Sequence, residues 1–381
     1  MSSCTPTIKR GSRAASPEFA RLAAQRRLCR EEVAKLLSAS QAAEIEAVRA
    51  EAERVLLARC GNEVYLRGLV EVSNACARDC HYCGIRKSLT AIPRYTLTAD
   101  EIVACAQLCA EAGYGSLVLQ SGERSDKAFI DLVCTAVRRI RRETRTAVQP
   151  EGLGVTLCIG QQSREIYKRL FDAGAHRYLL RIETSNPKLF AAIHPPEQSF
   201  QSRVECLGLL REIGYQVGTG VMVGLPGQSI QDLADDILFF RDHDVDMIGM
   251  GPYIPHPDTP LGREPCADVA ERVRLALVMV AAARLVLRDV NIASTTALQA
   301  LDPVGREKGL RFGANVIMPQ VTPADVRRHY QLYPGKPCLE ESAGECQTCL
   351  AMRIESAGRK VGYNHWGDSA HARRRLDRRM P

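Results

Sequence analysis

Three cysteines in one short segment have a spacing that suits a metal cluster. Cys76, Cys80 and Cys83 follow the pattern C-x3-C-x2-C directly after an apolar run. Thiolates on one tight loop can bind three irons of a 4Fe-4S cube and leave the fourth iron without a protein ligand. A zinc site with a remote fourth ligand, or three unconnected core thiols, is the alternative, but zinc usually binds paired C-x2-C units or histidines at set spacing. The spacing therefore predicts a 4Fe-4S cluster with one open iron.

An open iron in such a cluster implies a particular ligand and reaction. The amino and carboxylate groups of S-adenosyl-L-methionine (SAM) would chelate it, and electron transfer would cleave SAM to a 5′-deoxyadenosyl radical. Tyr82, immediately before the third cysteine, adds an aromatic side chain to the same loop. We therefore expect a radical SAM enzyme. A non-catalytic iron-sulfur or zinc scaffold that binds a partner through its basic tails is the alternative from another class.

A second cysteine triad lies near the end of the chain. Cys338, Cys346 and Cys349 have the spacing C-x7-C-x2-C. This triad predicts an auxiliary 2Fe-2S or 4Fe-4S cluster, with one ligand missing or supplied by water or another group. A zinc knot or free surface thiols are the alternatives. Most of the remaining cysteines stand in apolar contexts, where cysteine acts as a small hydrophobic residue.

The elements that position these cysteines follow a regular order. From residue 66 onward, short apolar runs alternate with longer amphipathic stretches, which is typical of parallel strands connected by helices. Eight such units predict a (β/α)8 TIM barrel with its chemistry at the C-terminal ends of the strands. A doubly wound open sheet is the alternative, but no Gly-rich dinucleotide fingerprint follows the first strand. The predicted strands are 66–73, 116–120, 153–159, 177–183, 217–223, 246–251, 291–296 and 314–318. The predicted helices are 98–113, 126–143, 162–174, 197–213, 228–242, 268–288, 303–311 and 323–331.

Patterning also divides the chain into segments. Residues 1–16 are rich in Ser, Thr, Pro and Arg without a period, which predicts a disordered leader. Residues 17–60 form an N-terminal helical extension, 61–332 the barrel, 333–370 a C-terminal segment with the second triad, and 371–381 a basic tail.

Composition excludes several classes of protein. Hydrophobic residues make up 45% and charged residues 25% of the chain, as in a globular protein with a buried core. No apolar stretch is long enough for a membrane span, and no signal-peptide core is present. Fifteen cysteines, an odd number, argue against a disulfide framework and favour the cytoplasm. The net charge of +7 comes largely from the two ends, which we interpret as solvated, and no nucleic-acid-binding motif accompanies them.

Polar residues at the predicted strand ends are candidates for holding SAM. Arg181 and Glu183 alternate onto one face of the fourth strand. Charges inside a barrel are costly unless they bind a ligand or pair, so an internal Arg–Glu ion pair is the alternative. Arg203, at the start of the next helix, is placed to meet a carboxylate in bidentate fashion. The predicted cofactor-binding residues are Tyr82, Ser121, Gly122, Glu123, Glu183, Arg203 and Met222.

The later strands predict a polar substrate pocket. His256 lies in a stiff proline-rich loop, where it handles a proton or substrate or simply orders the loop. Hydroxyls and an amide follow on the seventh and eighth strands. The predicted pocket residues are His256, Thr295, Thr296, Asn315 and Met318, and no catalytic residue is assigned beyond the cluster and SAM.

Several segments resemble one family of radical SAM enzymes. Residues 67–86, 214–228, 251–260 and 313–319 look like the HydE family of FeFe-hydrogenase maturases. So does the run at 331–336 that leads into the second triad. The resemblance covers roughly residues 60–365.

This resemblance implies a complete barrel, reductive SAM cleavage and a role in assembling the di-iron site of the hydrogenase H-cluster. The substrate would be a small-molecule or organometallic compound, an iron-carbonyl-cyanide-cysteine complex from a partner maturase. A low-potential donor, ferredoxin or flavodoxin, would supply the electron, and other hydrogenase maturases are expected partners, whereas nucleic acid and membrane are not. By position, the first triad binds the SAM cluster, Glu183 and Arg203 hold SAM, and the second triad binds a cluster that varies among relatives.

The chain departs from the family pattern at a few positions. Ser121 precedes Gly122 where two glycines are usual, Ile182 replaces a histidine, and residues 297–299 replace a segment with Met and Gly. Two related radical SAM enzymes that share the barrel and the first motif, biotin synthase and methylornithine synthase, are the alternatives, and the changes in the seventh and eighth strands leave methylornithine synthase open. Biotin synthase would need a second cluster on strand cysteines, and only Cys158 is suitably placed.

Overall fold

The structure, a computed structural model, describes residues 16–339 and 343–377, without the side chains of 343–348. The predicted leader therefore lies outside the described residues except for its last position. The strands are β1 (Glu63–Ser73), β2 (Ser116–Ser121), β3 (Gly154–Cys158), β4 (Arg177–Leu179), β5 (Gln216–Thr219), β6 (Met222–Val223), β7 (Met247–Ile248), β8 (Gly251–Pro252), β9 (Asn291–Ile292), β10 (Val316–Ile317) and β11 (Lys360–Gly362). The helices are α1 (Pro17–Ala23), α2 (Arg30–Leu37), α3 (Ala42–Cys60), α4 (Ala99–Glu111), α5 (Lys127–Glu143), α6 (Arg164–Asp172), α7 (Pro187–Ile193), α8 (Phe200–Ile213), α9 (Ile230–Asp242), a 3-10 turn (Leu261–Arg263), α10 (Val269–Leu287), α11 (Thr296–Leu301), α12 (Gly305–Arg311), α13 (Ala324–Arg327), α14 (Ala343–Ser356) and α15 (Ala370–Asp377).

The strands form a ring of parallel pairs. Their order is β10-β1-β2-β3-β4-β5-β7-β9, and β11 adds to β1 outside this path. The ring closes where Asn315 N donates to Ile292 O at 2.9 Å and Ser294 N donates to Val316 O at 2.8 Å. These strands are buried because helices cover the outer face of the ring and side chains line its interior. The predicted (β/α)8 barrel and its eight strands are confirmed.

Helix boundaries follow local signals in the sequence. A capping box starts α4, with Glu101 N donating to Thr98 Oγ1 at 3.3 Å. The predicted helix 197–213 instead begins at Phe200, after the separate α7. His194 and Asp302 are both extended residues that precede a proline, and they end α7 and α11 because proline disfavours a helical residue before it.

The N-terminal extension is helical, as its pattern predicts. Helix α3 packs along α10, and α2 packs against α9. Helix α10 is buried around most of its circumference because it lies between the barrel and these helices. None of the helices in the described ranges combines the length and the apolarity needed to cross a membrane.

The N-terminal end of the barrel is filled by the floor segment, residues 366–368. Arg67 Nη2 and Asn291 Nδ2 donate to Gly367 O at 3.0 and 2.7 Å. Arg177 Nη1 donates to Asp368 Oδ1 at 2.7 Å, and its side chain is fully buried. The C-terminal segment therefore closes this end of the barrel.

The basic tail contains a docked helix rather than a solvated segment. Residues 370–377 form α15, in which Arg375 Nη1 lies 2.5 Å from the buried carboxylate of Asp246. His371 contacts Asp244 at 2.6 Å, and Arg374 pairs with Asp289. The prediction of a solvated tail is therefore wrong for these residues, because acidic groups on the barrel neutralise the helix. Residues 378–381 lie outside the described part of the chain.

Candidate active site

The first cysteine triad lies on the cysteine loop, residues 74–86, which follows β1 at the C-terminal end of the barrel. Arg94 fastens this loop through hydrogen bonds to the carbonyls of Asn74, at 2.6 Å, and Ile85, at 2.8 Å. Asp79 accepts two hydrogen bonds from Arg86, at 2.7 and 2.6 Å. The protein therefore sets the path of the loop through its own contacts.

The three thiols of this loop are partly buried and close enough to repel one another when ionised. Burial raises the pKa of Cys76. Burial and the neighbouring Cys76 raise the pKa of Cys80 to about 12, and burial and Cys80 raise that of Cys83. Thiolates in such a place need bound positive charge, which irons would supply. The donor set therefore fits an iron-sulfur cluster.

A single metal ion is a poorer match for this loop. Among the described residues, no group of three His, Cys, Asp or Glu side chains converges on one ion position. The thiolates of a cube bind three different irons, so they need not converge on one point. This geometry favours the cluster prediction over the zinc alternative.

The end of β2 lies directly against the cysteine loop. A Cβ on Gly122 would lie 2.4 Å from Ala75 O and 2.7 Å from Cys76 Cβ, so no larger residue fits there without a shift. Ser121 Oγ donates to Gly122 O at 2.6 Å. The backbone at this strand end therefore approaches the cysteine loop closely.

Glu123 connects the cysteine loop with α8. Its carboxylate pairs with Arg78 of the loop and accepts from Gln161 N at 3.0 Å. Arg203 Nη2 lies 3.5 Å from the same carboxylate. The Arg203 side chain is only 9% exposed, and its Nε has no hydrogen-bond partner among the described residues. That unpaired donor is what a buried site for a ligand carboxylate requires.

Glu183 pairs with Arg181 rather than with Arg203. Arg181 Nε and Nη2 each lie 2.8 Å from a Glu183 oxygen. The ion pair that the sequence left as an alternative is therefore formed. Glu183 also has a φ of 61°, and a non-glycine residue in this left-handed region is often held there by a functional constraint. Arg203 Nη1 donates to Arg181 O at 3.1 Å, which links the two arginines.

Tyr82 and Met222 share an apolar pocket wall. Both pack against the small cluster formed by Ile193, Leu225, Tyr253 and Leu261. The Tyr82 hydroxyl lies 3.3 Å from His194 Nε2, and burial lowers the pKa of His194 to about 4, so this imidazole is neutral. The wall suits a flat, largely apolar ring such as adenine.

Three of the predicted pocket residues lie near the mouth of the barrel. His256 packs on the cysteine loop, since a Cβ on Gly84 would lie 2.5 Å from its Nε2. Thr295 Oγ1 donates to Met250 O at 3.3 Å, and Thr296 Oγ1 lies 2.9 Å from the Tyr333 hydroxyl. These side chains are therefore held by protein contacts at the same end as the cysteines.

Asn315 does not lie in this pocket. It precedes β10 at the opposite end of the barrel, and it is 1% exposed. Its Oδ1 accepts from Ile292 N at 2.9 Å and its Nδ2 donates to Asn291 Oδ1 at 2.9 Å. The prediction of Asn315 as a substrate contact is corrected by this placement, because its amide is used within the barrel wall. Met318 follows the same strand and lines an internal cavity of about 30 Å³.

The second triad is only partly described. Cys338 is partly buried, with a φ of 62°, and Cys349 is exposed. The side chain of Cys346 lies outside the described residues. The auxiliary cluster therefore stays a prediction.

Sequence reasoning missed several residues that shape the site. Arg78 and Arg94 lie in or beside the cysteine loop, so their proximity to the triad was an available signal. Gln161 and Gln198 contact the site from other elements, with Gln198 Oε1 3.2 Å from Cys80 Sγ. Nothing in a single sequence connects those two glutamines with the cysteines.

The chain is similar to known proteins over most of its length. The pattern of the Radical SAM superfamily matches residues 70–240. The [FeFe] hydrogenase maturase subunit HydE of Thermotoga maritima is 44% identical over 344 residues, which cover 90% of this chain and 94% of the relative. A biotin synthase of Picosynechococcus sp. is 30% identical over 327 residues, 83% of each chain. The solved structure of methylornithine synthase (PylB) has a TM-score of 0.74 at 22% identity, covering 91% of this chain and 97% of that one, which supports the fold alone.

Proposed function

Since this chain belongs to the HydE family of [FeFe] hydrogenase maturases within the radical SAM superfamily, we propose that Cys76, Cys80 and Cys83 bind a 4Fe-4S cluster and that SAM binds beside it. The chain is a radical SAM enzyme that acts in assembly of the hydrogenase H-cluster. One observation carries the site assignment: three thiols, whose ionised forms would repel one another, share a loop fastened at the end of β1. Together, cluster and SAM supply one-electron cleavage to a 5′-deoxyadenosyl radical.

The residues around the loop support a binding mode for SAM. Arg203 has a buried, unpaired Nε for the carboxylate, and Glu123 holds this guanidinium in position. Glu183 has acceptor sites left for the amino or ribose hydroxyl groups, because a carboxylate has about four lone-pair sites and Arg181 uses two. Tyr82 and Met222 give the adenine an apolar wall. The protein's contribution is to orient SAM and exclude water.

Formation of 5′-deoxyadenosine tests the cluster assignment. The anaerobically reconstituted enzyme should release it from SAM when reduced with dithionite. Cys80→Ala should abolish this release, because it removes an iron ligand, whereas the matched Cys346→Ala variant should keep most of it. Equal loss in both variants would contradict the assignment of the SAM cluster to the first triad and of an auxiliary cluster to the second.

The substrate is proposed to be a small organometallic compound, an iron-carbonyl-cyanide-cysteine complex, that enters the barrel below SAM. The Arg181 side chain is 28% exposed, which leaves polar surface in the barrel for such a guest. Adding the synthetic complex to the reduced enzyme with SAM should consume it. If the complex persisted while lysine was turned over, a methylornithine synthase-like activity would replace this assignment.

The remaining partners are proposed on chemical grounds. Reductive cleavage needs a low-potential electron donor, a ferredoxin or flavodoxin, and an organometallic substrate needs another maturase to make it. Cys338, Cys346 and Cys349 are proposed to bind an auxiliary cluster. The abundance of cysteines supports a reducing compartment, the cytoplasm.

A further inference from the structure

The connection between α7 and α8 lies against the cysteine loop. His81 N donates to Ile193 O at 2.9 Å. The Tyr82 hydroxyl lies 3.3 Å from His194 Nε2, and Cys80 Sγ lies 3.2 Å from Gln198 Oε1. Successive residues of the loop are thus each bonded to one segment, residues 193–198, which we call the outer segment.

The outer segment is itself fixed. His194 Nδ1 lies 2.9 Å from Phe190 O, so this nitrogen carries the hydrogen and Nε2 accepts from Tyr82. The His194 and Phe190 rings stack with centroids 3.9 Å apart. Gln198 N donates to Pro195 O at 2.9 Å, which closes a turn that begins with two consecutive prolines. Gln198 is therefore presented to Cys80 by a stiff backbone.

The contact between Cys80 and Gln198 must change its direction when the sulfur binds iron. As a thiol, Cys80 donates its hydrogen to the amide oxygen. A metal-bound thiolate has no hydrogen to give and only accepts. No hydrogen bond among the described residues holds Gln198 Nε2, so the amide is free to turn about its last bond and present an N–H to the same sulfur.

We propose that Gln198 is a positioning residue that donates a hydrogen bond to the cluster-bound sulfur of Cys80 and thereby raises the reduction potential of the cluster. A donor at a cluster sulfur stabilises the state with more negative charge, which is the reduced state. The inference rests on the proposed cluster site. It adds a residue from another element that sets how readily the cluster accepts its electron.

A reductive titration followed by electron paramagnetic resonance tests this role. Each cluster takes one electron from dithionite, and the reduced signal is measured at set potentials. At the midpoint potential of the wild type, Gln198→Leu should lower the ratio of reduced to oxidised cluster about fivefold. This change corresponds to part of the free energy of one hydrogen bond to a charged group. Gln198→Glu, which adds negative charge at the same place, should lower this ratio further. The matched control Gln201→Leu changes an exposed glutamine bonded to Glu205 and should leave the midpoint unchanged.

A second measurement needs no substitution. Wild-type enzyme labelled with 15N-glutamine should show nitrogen hyperfine coupling to the reduced cluster, together with an exchangeable proton that disappears in D₂O. Unchanged midpoints in both Gln198 variants, or absence of the nitrogen coupling, would overturn the inference. Failure of the wild type to bind iron would instead overturn the proposed cluster site, so the two failures are distinct.

Discussion

Glu123 and Glu183 both follow strands and have side chains only 10% and 9% exposed, but they contact arginines in different ways. Glu183 forms a local bidentate pair with Arg181, two residues earlier. Glu123 instead joins groups from three elements, namely Arg78, Gln161 and Arg203. We therefore expect Glu123 to organise the SAM site and Glu183 to complete it.

Removing the charge of Glu123 should weaken SAM binding. Glu123→Gln keeps the shape of the side chain, but its amide offers one acceptor to donors that now use two carboxylate oxygens. The expected loss of SAM affinity is about tenfold, the scale of one hydrogen bond to a charged group. Isothermal titration calorimetry of the reconstituted enzyme measures it. Glu212→Gln, at an exposed pair with Arg164, is the control, and equal affinities in both variants would contradict this role.

Replacing Asn315 should damage stability and leave the site intact. Asn315→Ala removes the acceptor of the buried Ile292 N–H and the partner of Asn291. Unsatisfied buried groups of this kind cost about 2–3 kcal/mol in the free energy of unfolding. Urea denaturation measures the loss, and SAM affinity should stay at its wild-type value. A stable variant with weakened substrate turnover would restore Asn315 to the pocket.

At the level of elements, the described structure depends on segments that no local pattern identifies. Helix α15 has a basic composition that suits solvent, but Asp244, Asp246 and Asp289 lie where it docks. The sequence separates those carboxylates from the helix by about a hundred residues, so only the tertiary fold brings them together. The helix is held by charge, and its docking should respond to pH.

His371 makes this dependence measurable. Its bonds to Asp244 and Asp289 raise its pKa from 6.5 to about 9 in the folded chain. Because the folded pKa is higher, the stabilisation is fully present below pH 6.5 and is lost as the pH rises through about 9. The melting temperature of His371→Gln should therefore lie below that of the wild type at pH 6.5 and approach it at pH 9.5. Arg375→Gln, which removes a permanent charge beside Asp246, should show a difference that persists across this range.

At the level of the whole molecule, the barrel and the first triad were predictable, and their supporting contacts were not. The alternation of apolar and amphipathic segments and the tight cysteine spacing are local signals, so the sequence predicts the eight strands and the cysteine loop. Asn315 was misplaced because the predicted strand 314–318 shortens to Val316–Ile317, which leaves this residue before the strand. Gln198 and the floor segment contact residues that are far from them along the chain, and periodicity carries no information about such contacts.

The floor segment supports a prediction about global stability. Asp368→Asn would leave the buried guanidinium of Arg177 without a carboxylate, although Trp366 O and Thr156 Oγ1 still accept from it. Breaking a buried ion pair by removing one partner typically costs about 3 kcal/mol or more. Urea unfolding of the anaerobic enzyme should show this loss, and the exposed Asp377→Asn control should not. A difference within error between the two variants would show that the floor tolerates the missing charge.

The closed floor has a consequence for the order of events during turnover. In the described part of the chain, residues 366–368 seal the N-terminal end of the barrel, which leaves the end beside the cysteine loop as the opening to its interior. With SAM bound at that opening as proposed, a molecule destined for the interior would have to enter before SAM, and its product would leave after the remains of SAM. Such a geometry would make the order of binding and release compulsory, with the first reactant to bind being the last to leave as product.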